Sequence, residues 1–352
     1  MNLNPINTIG NIYNPKENGI GFMRLVLALF VVIQHSFALN NLTDPLTKIG
    51  LSSFGSLGVN GFFILSGYLI AASWLNNKSF ISFSWRRILR IFPAFWICLL
   101  FTSFIIAPIM ASIGGNHFDI VFLKQQLSYV YKNLFLIIVQ PDIANLSTNY
   151  YEHALNGSFW TLSWEFSFYI LIAIAGIVGL LNKQKWIFVI IMALYIFSYW
   201  ASDCKCAIFL KYYVSERIAI LPFMFGLGAL GYLFKHKIPN STLLFIVCII
   251  AWVLDIKYNL FIPLHPFFFL YIILWLMVNL PIKSFEKNGD YSYGIYIYHF
   301  PIIQLLLLSF NFDLNPWLLS SIAIIPTGIL AYLSWHYIER PALSFKKYFK
   351  NT

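Results

Sequence analysis

A series of about ten apolar runs restricts the fold more than any other feature of this chain, because each run is long enough to cross a bilayer as a helix. The runs cover residues 20–39, 58–76, 91–112, 159–181, 186–201, 216–234, 241–256, 263–281, 290–310 and 316–336. Charged residues make up 10% of the chain, whereas about 25% is typical of soluble domains. We therefore predict an all-α integral membrane protein with about ten transmembrane helices.

The distribution of lysine and arginine predicts the orientation of these helices. Most of the 23 basic residues fall on one side of the membrane if the N-terminus is cytoplasmic, and basic loops favour the cytoplasmic side. We expect a cytoplasmic segment 1–19, a transmembrane domain 20–343 with an outer loop at about 113–158, and a basic cytoplasmic tail 344–352. Contact of the inner loops with anionic membrane lipid explains the net charge of +10, so we expect no nucleic-acid partner.

The first apolar run carries two ionisable residues, Arg24 and His35. Eleven helical residues separate them by about 16 Å and return the second to within about 20° of the face of the first. An ionisable group inside a membrane helix is costly and commonly marks a function. The shared stripe is compatible with a catalytic path, and equally with the permeation path of a transporter or flippase.

A basic cluster follows in the segment SWRRILRIFP, which contains Arg86, Arg87 and Arg90. Spacings of three and four residues bring side chains together on one face of a helix. Arginine recognises phosphate oxygens with two parallel hydrogen bonds, so the cluster suits the phosphates of a cytosolic ligand. The alternative is a topological anchor on the cytoplasmic side.

Two further ionisable residues lie within apolar runs. Glu165, in NGSFWTLSWEFSFY, is either a carboxylate favoured by the helix dipole or a member of a site. His299, in YSYGIYIYHFP, lies near the expected middle of the bilayer and is either functional or bonded to a neighbouring helix.

The glycines of FGSLGVNGFFILSGY, among them Gly58 and Gly67, predict close helix packing. The four cysteines match no spaced metal site, and we expect no metal.

Taken together, these segments resemble the acyltransferase 3 family of membrane acyltransferases, which includes bacterial O-antigen O-acetylases. The resemblance covers almost the whole chain. It rests on the pattern of Arg24 and His35, on GVNGFFILSGYLI, RILRIFP, FWTLSWEFSFY and YSYGIYIYHFP, and on the terminal YIERPAL. Because the chain ends at Thr352, soon after the last apolar run, we expect the stand-alone form without an added hydrolase-like domain.

The resemblance implies an O-acyltransferase of the bacterial cytoplasmic (inner) membrane. An acyl group, expected to be acetyl, would pass from cytoplasmic acetyl-CoA to a hydroxyl of a carbohydrate or lipid-linked glycan, such as O-antigen or exopolysaccharide, on the outer side. It implies catalytic roles for His35 and Glu165 and contacts of Arg24, Arg87 and Arg90 with the acyl-CoA. Residues expected to line the site are Arg86, Asn60, Ser66, Trp160, Ser163, Tyr296 and His299.

Two positions depart from the family pattern, because this chain has Asn60 and Phe166 where many members have acidic residues. Neither position is therefore expected to supply a carboxylate.

The expected chemistry also follows from the residues. Transfer from a thioester to an alcohol requires a base for the hydroxyl proton, and a neutral imidazole such as that of His35 suits this role. Direct attack and a covalent acyl-histidine intermediate both remain open. Arg24 lies too far along the helix to share one reaction centre with His35, so we expect it to contact the donor. No internal repeat is evident in the sequence, which argues against an inverted-repeat transporter.

Overall fold

The structure is a computed structural model that describes residues 7–115, 118–147, 153–184, 186–193, 216–258, 264–283, 285–311 and 313–349. The described backbone is helical, with two isolated bridges, Thr8 to Pro239 and Asn14 to Glu17. The α-helices are α1 (Ile9–Ile12), α2 (Ile20–Ala38), α3 (Pro45–Lys48), α4 (Phe54–Asn76), α5 (Phe80–Phe101), α6 (Ala107–Ile113), α7 (Ile120–Asn133), α8 (Trp160–Ile177), α9 (Glu216–Leu233), α10 (Thr242–Tyr258), α11 (His265–Asn279), α12 (Ser292–Ser309), α13 (Pro316–Ser334) and α14 (Arg340–Ser344). Short 3₁₀ segments are Leu180–Asn182, Phe285–Asn288 and Phe345–Phe349.

Six helical segments in the described part of the chain are long and apolar enough to cross a membrane. They are Ile20–Ala38, Phe54–Asn76, Phe80–Ile113, Trp160–Ile177, Ser292–Ser309 and Pro316–Tyr348. The predicted runs 241–256 and 263–281 coincide with α10 and α11, which have 17 and 15 residues. Of the predicted run 186–201, residues 186–193 are helical and the rest lies outside the described residues.

Two of these six segments, Phe80–Ile113 and Pro316–Tyr348, extend beyond the apolar runs that the sequence indicates. The helix predicted from residue 91 begins at Phe80, because the turns that carry the arginines are helical although they are not apolar. Each segment also contains a π-helical turn, Thr102–Ile106 and Trp335–Glu339. Each π turn precedes a proline, Pro108 or Pro341, which cannot donate the usual i to i−4 hydrogen bond.

The contacts divide the chain into two compact units. The first comprises Met1–Met23, Val59–Ser84 and Ser167–Phe285. Within it α4 and α9 approach closely, since a side chain at Gly67 would overlap the Phe225 carbonyl and one at Gly228 would overlap that of Ile64. The packing role predicted for Gly67 is thus confirmed.

The second unit comprises Arg24–Gly58, Trp85–Phe166 and Glu286–Thr352, and α12 forms its core. Every residue of α12 from Ser292 to Gln304 is buried. Gly58 confirms the other packing prediction, because a side chain there would overlap the Leu27 carbonyl and Val31 of α2. The helix α13 returns alongside α12, with Ala331 against Gly294.

The connection between α6 and α8 contains the amphipathic helix α7. The Asp119 carboxylate accepts a hydrogen bond from the Phe122 N–H at 2.8 Å and caps its first turn. Ser103 and Gln126 exchange hydrogen bonds of 2.9 and 2.5 Å, which attach α7 to the first π turn. Large apolar side chains are exposed on α7 and just after it, including Ile120, Val121, Leu127, Tyr131, Phe135 and Ile137, as expected for a segment at a membrane surface.

Candidate active site

A proline in the buried helix α12 leaves a backbone carbonyl free to bind the segment that precedes α8. Pro301 lies inside the helix and has no N–H, so the Ile297 carbonyl loses its usual intrahelical donor. The Asn156 amide donates to this oxygen at 2.7 Å and the Cys98 thiol at 3.2 Å. A backbone defect in α12 is therefore repaired by side chains from two other segments.

Further hydrogen bonds align the same segment along α12. The Gln304 amide donates to the Ala154 carbonyl at 2.7 Å, and the hydroxyls of Thr161 and Tyr296 are 2.5 Å apart. These contacts lie on either side of buried Ser158, whose hydroxyl is 3.5 Å from Nε2 of His299.

Two histidines meet at this point. Nδ1 of His35, on α2, lies 2.7 Å from Nε2 of His299, on α12, and the ring planes are inclined by 17°. His299 is fully buried, whereas His35 is partly exposed. The Phe300 ring packs edge-on against His35 with centroids 4.8 Å apart, which restricts the imidazole orientation.

The other predicted residue of α2, Arg24, belongs to a separate group of charges. Its guanidinium lies 2.5 Å from Oδ2 of Asp290, and the same oxygen is 2.5 Å from the Arg90 guanidinium. Arg90 also pairs with Glu339 at 3.0 Å, and the Glu339 side chain is only 1% exposed. Since α2 is unbroken from Ile20 to Ala38, Arg24 and His35 remain about 16 Å apart along it.

Asp290 is the centre of this ion cluster, which we define as Arg24, Arg90, Asp290 and Glu339. It lies just before α12, and Oδ1 accepts hydrogen bonds from the hydroxyl and the N–H of Ser292 at 2.5 and 3.3 Å. Burial alone would raise its pKa, but the two guanidinium groups and the Ser292 hydrogen bonds outweigh burial and hold the pKa at about 2. Asp290 is therefore a carboxylate at neutral pH.

The remaining arginines lie near the C-terminal end of the second unit. The indole N–H of Trp85 donates to the Phe345 carbonyl at 3.1 Å. Trp85 directly precedes Arg86, and Phe345 directly precedes Lys346, so this bond brings the two segments together. Lys346 lies within electrostatic range of Arg86 and Arg87. Guanidinium and ammonium groups gathered in one place suit the oxygens of a phosphate-bearing ligand.

Residues 17–336 match the acyltransferase domain family. The chain belongs to the acyltransferase 3 family. It is therefore an acyltransferase, which favours the enzyme over the transporter or flippase that the Arg24 and His35 stripe left open.

Two similar proteins match nearly the whole chain. A protein named O-acetyl transferase from Shigella phage Sf6 is 29% identical over 342 residues, 94% of this chain and 97% of that protein. Nodulation protein 10 of Rhizobium leguminosarum bv. viciae is 26% identical over 355 residues, 94% of each chain. No solved structure matches the chain significantly.

In this acyltransferase, the other predicted site residues fall into two groups. Glu165 is half-buried and lies one helical turn after Thr161, on the α8 face that contacts Tyr296, and within electrostatic range of Tyr293. Trp160 and Ser163 occupy the first turn of α8, where the Ser163 hydroxyl donates to the Trp160 carbonyl at 2.9 Å. Two others, Asn60 and Ser66, lie on the α4 portion of the first unit.

The structure adds site residues that the sequence interpretation missed. They are Ser158, Asn156, Asp290 and Lys346. Glu339 belongs to the motif YIERPAL, but the sequence assigned it no function. Pro301 was a usable signal, because a proline inside a span exposes a carbonyl that must find a donor. Nothing in the sequence indicates that Asp290 pairs with Arg24, 266 residues away. Among the described residues, no group of three His, Cys, Asp or Glu side chains is arranged to hold a metal ion.

Proposed function

We propose that this acyltransferase moves an acetyl group from cytoplasmic acetyl-CoA to a hydroxyl of a cell-surface carbohydrate on the outer side of the bacterial inner membrane. O-antigen, exopolysaccharide or their lipid-linked precursors are the acceptor class. The name of the phage relative, O-acetyl transferase, supports acetyl as the group and oxygen as the acceptor atom.

The contact between His35 and His299 carries the proposal. It places an imidazole that is partly exposed beside one that is fully buried, with a nitrogen-to-nitrogen distance of 2.7 Å. A partly exposed imidazole can reach a substrate, and its ring nitrogen can accept a proton near neutral pH. His35 is accordingly the base or acyl carrier, and Glu165 acts nearby on the same side of α12.

His35 alone can carry the proton from the acceptor hydroxyl to the departing CoA sulfur. The acceptor oxygen attacks the thioester carbonyl while His35 takes the hydroxyl proton. The tetrahedral intermediate then breaks its carbon–sulfur bond, and the departing CoA sulfur takes the proton from the imidazolium. An acyl-histidine route uses the same residue as nucleophile, with CoA leaving before the alcohol attacks.

Donor binding is assigned to the basic residues of the second unit. Arg87, with Arg86 and Lys346 beside it, engages the CoA phosphates, since guanidinium groups bind phosphate oxygens in pairs. Arg24 and Arg90, held by Asp290, line the next part of the donor path. The extended pantetheine arm then follows α2 towards His35.

The directions of three helices support the proposed topology. Arg24 and His35 of α2 contact Asp290 and His299 in the same order along the chain, so α2 runs parallel to α12. Arg90 and Cys98 contact Asp290 and Ile297, again in the same order. Parallel spans start on the same side of the membrane. The helices α2, α5 and α12 correspond to the first, third and ninth of the ten predicted spans, and odd-numbered spans all start on one side. The distribution of basic residues makes that side the cytoplasmic one, so in this proposal segments 1–19 and 344–352 are cytoplasmic and the loop at about 113–158 receives the acceptor outside.

Glycan mass spectrometry tests the function in cells. Strains that carry the wild-type gene should show surface glycan heavier by one acetyl group per modified sugar, and His35→Ala should abolish this increment because no base remains. His236→Ala is the matched control, since His236 is exposed and contacts Asn11 at 3.2 Å in the first unit. An unchanged increment in His35→Ala, at equal protein level, would reject His35 as the catalytic residue.

A further inference from the structure

The hydrogen bonds of His299 determine which of its nitrogens carries the proton. Nδ1 of His299 lies 3.0 Å from the Ile295 carbonyl oxygen. A carbonyl only accepts hydrogen bonds, so Nδ1 must be the protonated nitrogen. In a neutral imidazole the other nitrogen, Nε2, then carries the lone pair.

Burial strongly disfavours the doubly protonated form of His299. The side chain is fully buried, and an imidazolium there would lose its hydration. The neutral ring therefore presents an acceptor at Nε2, and the two groups near it are Nδ1 of His35 at 2.7 Å and the Ser158 hydroxyl at 3.5 Å. At the shorter distance, Nδ1 of His35 must be a donor.

We propose that His299 is a positioning residue that fixes the tautomer of His35. It holds the proton of His35 on Nδ1, so the lone pair lies on Nε2, and Nε2 is the atom that takes the proton of the acceptor hydroxyl or receives the acyl group. The chain of donors runs from His35 through His299 to the Ile295 carbonyl of α12. The inference deepens the proposed function and rests on it, because it gives a reactive atom to the proposed base.

The arrangement around the pair supports a positioning role. The Phe300 ring contacts His35 edge-on and follows His299 directly in the chain. One turn of α12 therefore supplies both the hydrogen-bond acceptor and the packing surface for the His35 ring. The hydrogen bond made by one ring nitrogen of a histidine sets the protonation of the other, and around metal-bound histidines loss of such a holding group costs about 10- to 100-fold.

Two amide substitutions separate hydrogen bonding from side-chain volume. In His299→Gln the side-chain oxygen reaches about as far as Nε2 and can accept from His35. In His299→Asn the amide reaches only the level of Nδ1, so it retains the contact with Ile295 and loses the one with His35. We expect His299→Gln to keep turnover within several-fold of the wild type, and His299→Asn to lower kcat about 10- to 100-fold with an unchanged KM for acetyl-CoA.

The outcomes distinguish this inference from the proposed function. Equal loss in the two variants, or no loss in either, would overturn the positioning role while His35→Ala remains inactive. Wild-type activity in His35→Ala would instead refute the proposed function.

A second measurement avoids variants of His299. Nitrogen-15 spectra of the histidine-labelled wild-type protein, with the His35 signals identified by their loss in His35→Ala, should show a protonated Nδ1 and an unprotonated Nε2. The reverse pattern would overturn the proposal.

Discussion

At the scale of single residues, the ion cluster gives Arg24 and Arg90 carboxylate partners within the protein. Arg24 and Arg90 share one oxygen of Asp290, and Arg90 also pairs with Glu339. Their charges are thus balanced by carboxylates inside the protein. The resemblance implies donor contacts for Arg24, Arg87 and Arg90, and the structure adds that Arg24 and Arg90 also hold the Asp290 carboxylate.

Lys346 provides a test of the donor site at this scale. We expect Lys346→Ala to raise the KM for acetyl-CoA about fivefold, because a partly solvated ion pair contributes up to about 1 kcal/mol. The acceptor KM should stay unchanged. Lys347→Ala is the control, because it removes the same charge from the adjacent position.

Steady-state kinetics with varied acetyl-CoA measures the effect, and repetition at high salt should reduce the difference between wild type and Lys346→Ala. An equal effect of Lys347→Ala would assign the tail a general electrostatic role rather than a specific contact.

At the scale of elements, α12 organises the site because it is buried and because it contains Pro301. The proline leaves the Ile297 carbonyl to the Asn156 amide, and this bond draws the segment before α8 onto α12. Ser158 and Thr161 then lie beside His299 and Tyr296. A backbone defect in one helix is therefore an attachment point for the segment that leads into another helix.

A double-mutant cycle tests this dependence. Asn156→Ala should lower the free energy of unfolding by about 1–3 kcal/mol, because it removes a buried hydrogen bond. In a Pro301→Ala background the N–H of residue 301 can serve the Ile297 carbonyl, so the same substitution should cost less. Denaturant unfolding in detergent measures both costs. Equal costs in the two backgrounds would contradict the link between Pro301 and Asn156.

The same elements indicate how far the sequence predicts the structure. The apolar runs predict the helices, and the glycine spacing predicts the close approach at Gly58 and Gly67. The apolar run begins at residue 91 although the helix begins at Phe80, because hydropathy does not register charged turns; the spacing of the arginines, by contrast, does indicate a helix there. The pairing of His35 with His299, 264 residues apart, was not predictable, because spacing within one sequence carries no information about contacts between distant helices.

At the scale of the whole molecule, the donor and the acceptor act from opposite sides of the membrane in the proposed reaction. The parallel directions of α2, α5 and α12 place Arg24, Arg90 and Asp290 at a common end of these helices, which the proposed topology makes the cytoplasmic end. His35 lies about 16 Å further along α2, which is roughly half of the hydrocarbon thickness. The reaction centre should therefore be reached by the pantetheine arm from inside and by the sugar from outside.

The sidedness of acetyl transfer can be measured with membrane vesicles of known orientation. Labelled acetyl-CoA, which does not cross the bilayer, is added to inverted and to right-side-out vesicles whose acceptor glycan is on the original outer face. We expect label on the glycan inside inverted vesicles, none in right-side-out vesicles, and none with His35→Ala. Transfer only in right-side-out vesicles, or equal transfer by His35→Ala, would contradict the account.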